Sequence, residues 1–306
     1  MKHPSNTPLK ISSPVELHQL MDLPGPLHPL VSLFDNTLAI VNKATLPQSF
    51  MFDFYTISYK KKLKGRTGYG QHYYDFDDGT MVFTAPGQLI STDGDHDYFG
   101  ISLLFHPDYI RNYPLGRRIK QFGFFSYESN EALHLSDKEK NTLLTVFKNI
   151  NDELQHSLDD FSQDIVVSLI ETLLNYSNRF YGRQFITRKT VNHDLLYRIE
   201  KLLDEYFGSE QGLTTGLPTV DYLAFHINVS PRYLSDMLRA LIGQNAQQYI
   251  HEKMIEKAKE YLTGTNMTVG EIAYRLGFDY PQSFSKLFRR KTNLTPIAFK
   301  HQFHKN

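Results

Sequence analysis

The 306-residue chain contains no cysteine, which excludes a disulfide framework, a thiolate zinc site and a cysteine nucleophile. No run of about 18 or more apolar residues occurs, and the opening MKHPSNTPLK lacks the apolar stretch of a signal peptide. The expected location is therefore the cytoplasm, with no membrane partner. Also missing are a Gly-rich phosphate loop, a Gly-x-Ser-x-Gly elbow and a His-Glu-x-x-His pair, so enzymatic chemistry has no nucleophile or base to start from. The expectation is a protein that is not an enzyme and needs no cofactor. What is present is ordinary: 41% hydrophobic and 22% charged residues, the balance of a globular chain long enough for about two domains.

There is no net charge, with 33 Lys and Arg against 33 Asp and Glu, but the distribution is uneven. From Leu213 to Asn306 twelve cations face seven anions, a net +5, and the preceding residues carry the opposite −5. A basic tail on an acidic remainder suggests that the tail meets a polyanion. Chance partition of solvated charge is the bland alternative.

The patterning predicts an α+β multidomain chain. Between Ser49 and Phe105, Tyr55, Ile57 and Tyr59 alternate with Thr56 and Ser58, and GTMVFTAPG (Gly79 to Gly87) is a short β run closed by Pro-Gly. Asp78-Gly79 and Asp93-Gly94 read as hairpin turns. An amino-terminal, mostly antiparallel β sandwich or barrel follows, extending to about residue 130, with an aromatic-rich core supplied from 22 Phe and 19 Tyr. The period then changes. Leu143, Leu144, Phe147 and Ile150, then Ile165, Val166, Leu169, Ile170, Leu173 and Leu174, predict two amphipathic helices over 136–182. The polar, basic segment 183–194 reads as a linker, and 195–306 as an all-α domain.

That last domain contains a repeat. LAFHINVSPRYLSDML, from Leu223, matches IAYRLGFDYPQSFSKLF, from Ile272: Leu223 with Ile272, Val229 with Phe278, Leu234 with Phe284 and Leu238 with Phe288, the second copy carrying one extra residue in its corner. Each copy reads as a helix, a tight turn and a second helix. Thr268 and Glu271 have capping-box spacing, Ser230-Pro231 is a helix start, and Asn228 and Gly277 suit corners that need positive φ. Between the copies, Ile250, Met254, Ala258 and Tyr261/Leu262 share one face of a single helix over Asn245 to Leu262. Its length of about 27 Å could hold two recognition helices about one DNA turn, 34 Å, apart.

Two such copies joined by a long helix, with IAYRLGF, then FSKLFRRKTNLTP and the closing Thr295-Pro296, resemble the DNA-binding module of the AraC/XylS-type transcription regulators from about Gly212 to the end. Asn293 departs from the family's usual glycine but tolerates the same left-handed conformation. Met254-Ile255 stand where Arg-Leu is frequent in the family, so the basic contact of that helix is not matched there, although Lys253 is adjacent. More weakly, YYDFDDGTMVFTAPGQ, LLFHPDYI, PLGRRIK and FFSYESNEALHLS resemble the cupin-like effector or dimerisation domain of such regulators, which implies that residues 1–182 are that domain.

The resemblance places base-reading positions at Arg232, Ser235 and Asp236, and at Gln282, Ser285 and Lys286. Arg and Lys suit guanine O6 and N7, Gln suits adenine, and Asp236 could accept from cytosine N4 or brace Arg232 one turn away. Arg239, Arg289, Arg290 and Lys291 come later on the helices and suit phosphate neutralisation. The implied partners are double-stranded DNA, a small-molecule effector such as a sugar or other metabolite, RNA polymerase and a second copy of the chain. For the effector, His72 and Tyr74 share one face of a strand. A metal finds little support: DGDHD (Asp93 to Asp97) has Tyr98 where a calcium loop needs glycine, and His72, His96 and His106 form no His-x-His pair followed by Glu. The alternative reading is a metal-dependent cupin enzyme with a helical protein-interaction tail.

Overall fold

The structure, a computed structural model, describes residues 8–38, 49–61, 67–69, 72–74, 79–91, 100–128, 131–156, 159, 161–187 and 189–303; the side chains of 67–69, 72–74, 91, 189–193 and 303 lie outside the description. It divides into two compact units, Met1–Gln184 and Phe185–Asn306.

The first unit carries strands β1 (Leu9–Ile11), β2 (Val31–Asp35), β3 (Ser49–Phe52), β4 (Tyr55–Lys60), β5 (Thr67–Tyr69), β6 (His72–Tyr74), β7 (Thr80–Thr84), β8 (Leu89–Ser91), β9 (Gly100–Phe105) and β10 (Leu133–His134). Five of them form an antiparallel sheet in the order β10-β7-β4-β9-β2, and β1-β3-β8 form a second sheet in which β1 and β3 run parallel. Register follows the apolar alternation: Ile57 sits opposite both Phe83 and Leu103, and all three are buried. Their face meets an aromatic layer in which Phe83 lies 4.4 Å from Phe124, itself stacked on Tyr181 at 5.5 Å. The opposite face is covered too. Phe34 and Leu104 join Phe50, Phe54, Ile11 and Leu17 in one cluster, while Ser58 and Ser102 hydrogen-bond each other at 2.9 Å. Burial on both faces explains why Thr56, expected on the polar side, is only 7% exposed.

Hairpins are expected at the two Asp-Gly pairs, but the described strands on either side of them do not pair with each other. β6 pairs with β5 and β7 with β4 and β10, so the strands flanking Asp78-Gly79 are not partners; β8 and β9, flanking Asp93-Gly94, belong to different sheets. Gly79 nevertheless uses its freedom, at φ +104, and its carbonyl accepts the Leu135 N–H at 3.0 Å. The Asp93 to Asp97 segment lies outside the described residues. Pro86-Gly87 does turn the chain, with Gly87 at φ +80 donating to the Phe52 carbonyl at 2.8 Å, and sends it from one sheet to the other.

Two short helices, α1 (Pro14–Leu20) and α2 (Pro114–Arg118), precede the pair expected over 136–182, observed as α3 (Asp137–Gln155) and α4 (Ser162–Thr187). α3 buries Leu143, Val146, Phe147, Ile150 and Leu154 and begins with a Ser136–Glu139 capping box. Glu139 also accepts from Arg183 of α4 at 3.0 and 2.7 Å, and Arg183 donates to the His134 carbonyl at 2.7 Å, so the Glu139–Arg183 pair ties α3, α4 and β10 together. Partial burial pushes the Glu139 pKa up, but the Ser136 N–H and hydroxyl and the Arg183 guanidinium outweigh it and leave the carboxyl below its ordinary 4.5. Because the folded value is the lower one, the stabilisation is complete above about pH 4.5 and disappears as pH falls through the folded value. Glu139→Gln is expected to cost about 2 kcal/mol at pH 7 and to flatten the acid limb of a urea-midpoint profile. Equal acid sensitivity in both proteins would refute the assignment.

The linker expected over 183–194 is helix on both sides of Arg188. α4 runs to Thr187, and α5 (Lys189–Gly208) follows. The segment RQFITRKTVNHD is polar but contains neither glycine nor proline, so nothing in it breaks a helix. α5 buries Ile199, Leu203, Tyr206 and Phe207 in the second unit.

Candidate nucleic-acid interface

The second unit continues with α6 (Gln211–Thr215), α7 (Val220–Ile227), α8 (Pro231–Ile242), α9 (Ala246–Gly264), α10 (Val269–Arg275), α11 (Pro281–Thr292) and α12 (Pro296–Phe303). The first repeat copy is α7-corner-α8. Thr219 caps α7 by accepting the Tyr222 N–H at 3.0 Å, and Asn228, at φ 60 and ψ 50, ends it in the left-handed conformation. Ser230 then accepts the Tyr233 N–H at 3.2 Å, and Pro231 occupies the first helical position, where a missing N–H costs nothing. Helix periodicity buries Tyr233, Leu234, Met237 and Leu238 and turns Arg232, Ser235, Asp236 and Arg239 outward, the arginines exposed and the other two half-buried.

The second copy repeats this plan with different corner chemistry. The Thr268–Glu271 capping box starts α10, Gly277 at φ +96 turns the chain, and Asp279 is the extra residue before Tyr280 and Pro281. α11 buries Phe284, Leu287 and Phe288; Phe284 packs 5.5 Å from Phe278, and Phe288 packs 5.5 Å from Phe299 of α12. Asn293, at φ 62, ends α11 in the conformation for which glycine is usual. Outside remain Gln282, Lys286, Arg289, Arg290 and Lys291, all exposed, with Ser285 half-buried.

α9, 19 residues and about 28 Å long, is the element against which both copies pack. It buries Ile250, Met254, Ala258 and Leu262, the stripe read from the sequence, and starts with an Asn245–Gln248 capping box that the sequence reading missed. Lys253, the candidate basic contact of this helix, is committed elsewhere: its ammonium lies 3.4 Å from both Glu200 and Glu256 and over the Tyr249 ring. Near the carboxy-terminal end of α11, burial first and then the positive field of Lys291 and Arg290 hold the His251 imidazole below its usual value.

The outward faces of α8 and α11 differ electrically. Asp236 accepts from Arg232 Nε at 2.9 Å through one oxygen and from an Arg239 Nη at 2.8 Å through the other. On α11, the side chains of Gln282, Lys286, Arg289, Arg290 and Lys291 have no hydrogen-bond or ion-pair partner among the described residues.

Residues 223–302 match the family model described as a helix-turn-helix domain, a span that begins inside α7 and ends inside α12. The carboxy-terminal region is an AraC-type helix-turn-helix domain. Curated relatives include the uncharacterized HTH-type transcriptional regulator YfiF of Bacillus subtilis, 23% identical over 254 residues, covering 81% of this chain and 76% of the relative. Another is an uncharacterized HTH-type regulator of Pseudoalteromonas carrageenovora, 34% identical over 84 residues, 28% of this chain and 49% of the relative. Among solved structures, the C-terminal domain of the response regulator AraT from Geobacillus stearothermophilus is 27% identical and covers 35% of this chain and 84% of that one, with a TM-score of 0.31.

One structural component of the AraC-type domain escaped sequence reasoning. α6 presses on the second corner so closely that a Cβ at Gly212 would stand 2.3 Å from the Arg275 carbonyl oxygen, and one at Gly277 would stand 2.2 Å from that of Gly216. Gly212 and Gly216 lie four residues apart, and that spacing was the available signal. In the other unit, β6 carries His72 and Tyr74 opposite Tyr69 and Thr67, but their side chains lie outside the described residues. His96 lies outside as well. His106 accepts the Asp108 N–H at 3.2 Å and caps a short turn, and no group of metal-ligating residues occurs among the described residues.

Proposed function

We propose that this chain is a sequence-specific transcription regulator whose AraC-type domain reads two successive major grooves, with α8 and α11 as the inserted helices. Arg232, Ser235 and Asp236, and Gln282, Ser285 and Lys286, face base edges; Arg239, Arg289, Arg290 and Lys291 neutralise phosphates. The observation that carries the reading is the repeated division of labour on each helix. The apolar residues of α8 and α11 are consumed by the core, and the donors that major-groove recognition requires are left facing solvent.

The amino-terminal unit is assigned a cupin-like effector-binding and dimerising role, with His72 and Tyr74 facing a sugar or other small metabolite and two tails presented by a homodimer to DNA and RNA polymerase. Exposed Phe161, just before α4, and Ile165 within it support a self-contact there, since both are large apolar side chains without cover in one chain. Selection of duplexes from a randomised pool by the full chain tests the DNA reading. Enrichment of a two-part site with half-sites about one helical turn apart is expected, and recovery of no preferred sequence would refute it. A thermal-shift screen with sugars and small metabolites tests the effector arm, a raised melting point being the expected response.

A further inference from the structure

The two reading helices align at the repeat offset, Arg232 with Gln282, Asp236 with Lys286 and Arg239 with Arg289. At these three positions α8 carries cation, anion, cation, and α11 carries a neutral residue and two cations. The geometry on α8 is specific. Each Asp236 oxygen is taken by a different arginine, at 2.9 and 2.8 Å, and the carboxylate is 19% exposed against 44% and 51% for its partners. The bond to Arg232 is made through Nε, which fixes the plane of a guanidinium whose fork matches guanine O6 and N7. Arg232 is also the second residue of the helix, and the amino-terminal end of a recognition helix is the part that reaches base edges.

From this we infer that Asp236 is a positioning residue rather than a base reader: it fixes the Arg232 guanidinium for bidentate readout and withholds Arg239 from promiscuous phosphate contact. This rests on the DNA reading above and revises it at two positions, Asp236 as a base-facing residue and Arg239 as a phosphate neutraliser. With one lone pair of each oxygen already given to an arginine and only 19% of the side chain exposed, the carboxylate is committed to its own helix and not turned to cytosine N4, and a guanidinium held in one plane loses less freedom on binding than a loose one. The first copy then discriminates at low electrostatic cost, while α11, whose cations have no ion-pair partner among the described residues, anchors. α11 itself contains no carboxylate to restrain them.

The test uses the full chain and a duplex it selects from a randomised pool, with a scrambled duplex of equal length as the non-specific probe. Asp236→Asn keeps the shape and removes the charge. The expected result is tighter binding to the scrambled duplex, a salt slope steeper by about 0.9 from one added net positive charge, and a preference for the selected duplex lowered by about tenfold. Asp236→Glu is expected to return the salt slope to that of the parent chain, a recovery that a merely structural role would not produce. A loss of preference confined to one base pair, with the salt slope unchanged, would overturn the proposal by making Asp236 a reader. An Asp236→Asn variant that binds both duplexes as the parent does would overturn it as well. Arg232→Ala separates the two levels: reduced discrimination there with no effect at Asp236 defeats only the positioning role, and unchanged discrimination at Arg232 defeats the base-reading assignment beneath it. Melting curves of each variant confirm that the fold is retained.

Discussion

Gly277→Ala is expected to destabilise the AraC-type unit by about 4 kcal/mol. Two independent penalties meet at this residue. Its φ of +96 lies where a side chain is strained by about 1–2 kcal/mol, and an added Cβ would sit 2.2 Å from the Gly216 oxygen, 2.4 Å from its carbonyl carbon and 2.7 Å from the Leu217 nitrogen. All three are backbone atoms, which cannot swing aside as a flexible side chain does, so overpacking adds about 1–3 kcal/mol. Gly243 supplies the control within the same unit. It has φ +73, but a Cβ added there would meet nothing within 4 Å, so Gly243→Ala should carry only the conformational part, about 1–2 kcal/mol. Urea unfolding followed by tyrosine fluorescence in the full chain measures both. Equal losses in the two variants would show that contact with the Gly216-Leu217 backbone just after α6 does not hold the second corner.

That contact marks the limit of what the sequence makes legible. The two copies, their corners at Asn228 and Gly277, the Thr268–Glu271 box and the one-residue insertion are readable because each is a local consequence of periodicity and cap chemistry. The outward residues of α8 and α11 follow from the same period, once the apolar stripe is assigned to the core. The packing of α6 on the corner is not readable in the same way, because Gly212 and Gly277, 65 positions apart, meet only after the chain between them has folded. Sheet pairing is lost for a related reason. Asp-Gly is a local turn preference, whereas whether β8 continues in its neighbour's sheet or crosses to the other is decided by what both sheets bury. The double engagement of Asp236 lies between these cases: spacing allows a brace to Arg232, but only side-chain geometry adds Arg239.

Replacing Arg289, Arg290 and Lys291 together by Gln is expected to weaken DNA binding about 500-fold at about 0.1 M salt and to lower the salt slope by about 2.7, since each phosphate contact contributes about 0.9 to the slope. The competing explanation for these cations is purely structural. They occupy the last turn of α11, where positive charge offsets the carbonyl end of the helix dipole by about 0.3–1 kcal/mol each in stability. The two accounts separate cleanly when folding and binding are measured on the same triple variant. A dipole role predicts a lower melting point with an unchanged salt slope once the chain is folded. Phosphate neutralisation predicts a small stability change and a large change in slope, on selected and scrambled duplexes alike, because a phosphate contact carries no sequence information. Their exposure and the absence of any ion-pair partner among the described residues favour the second account. An unchanged salt slope in the folded triple variant would remove α11 as the anchoring helix.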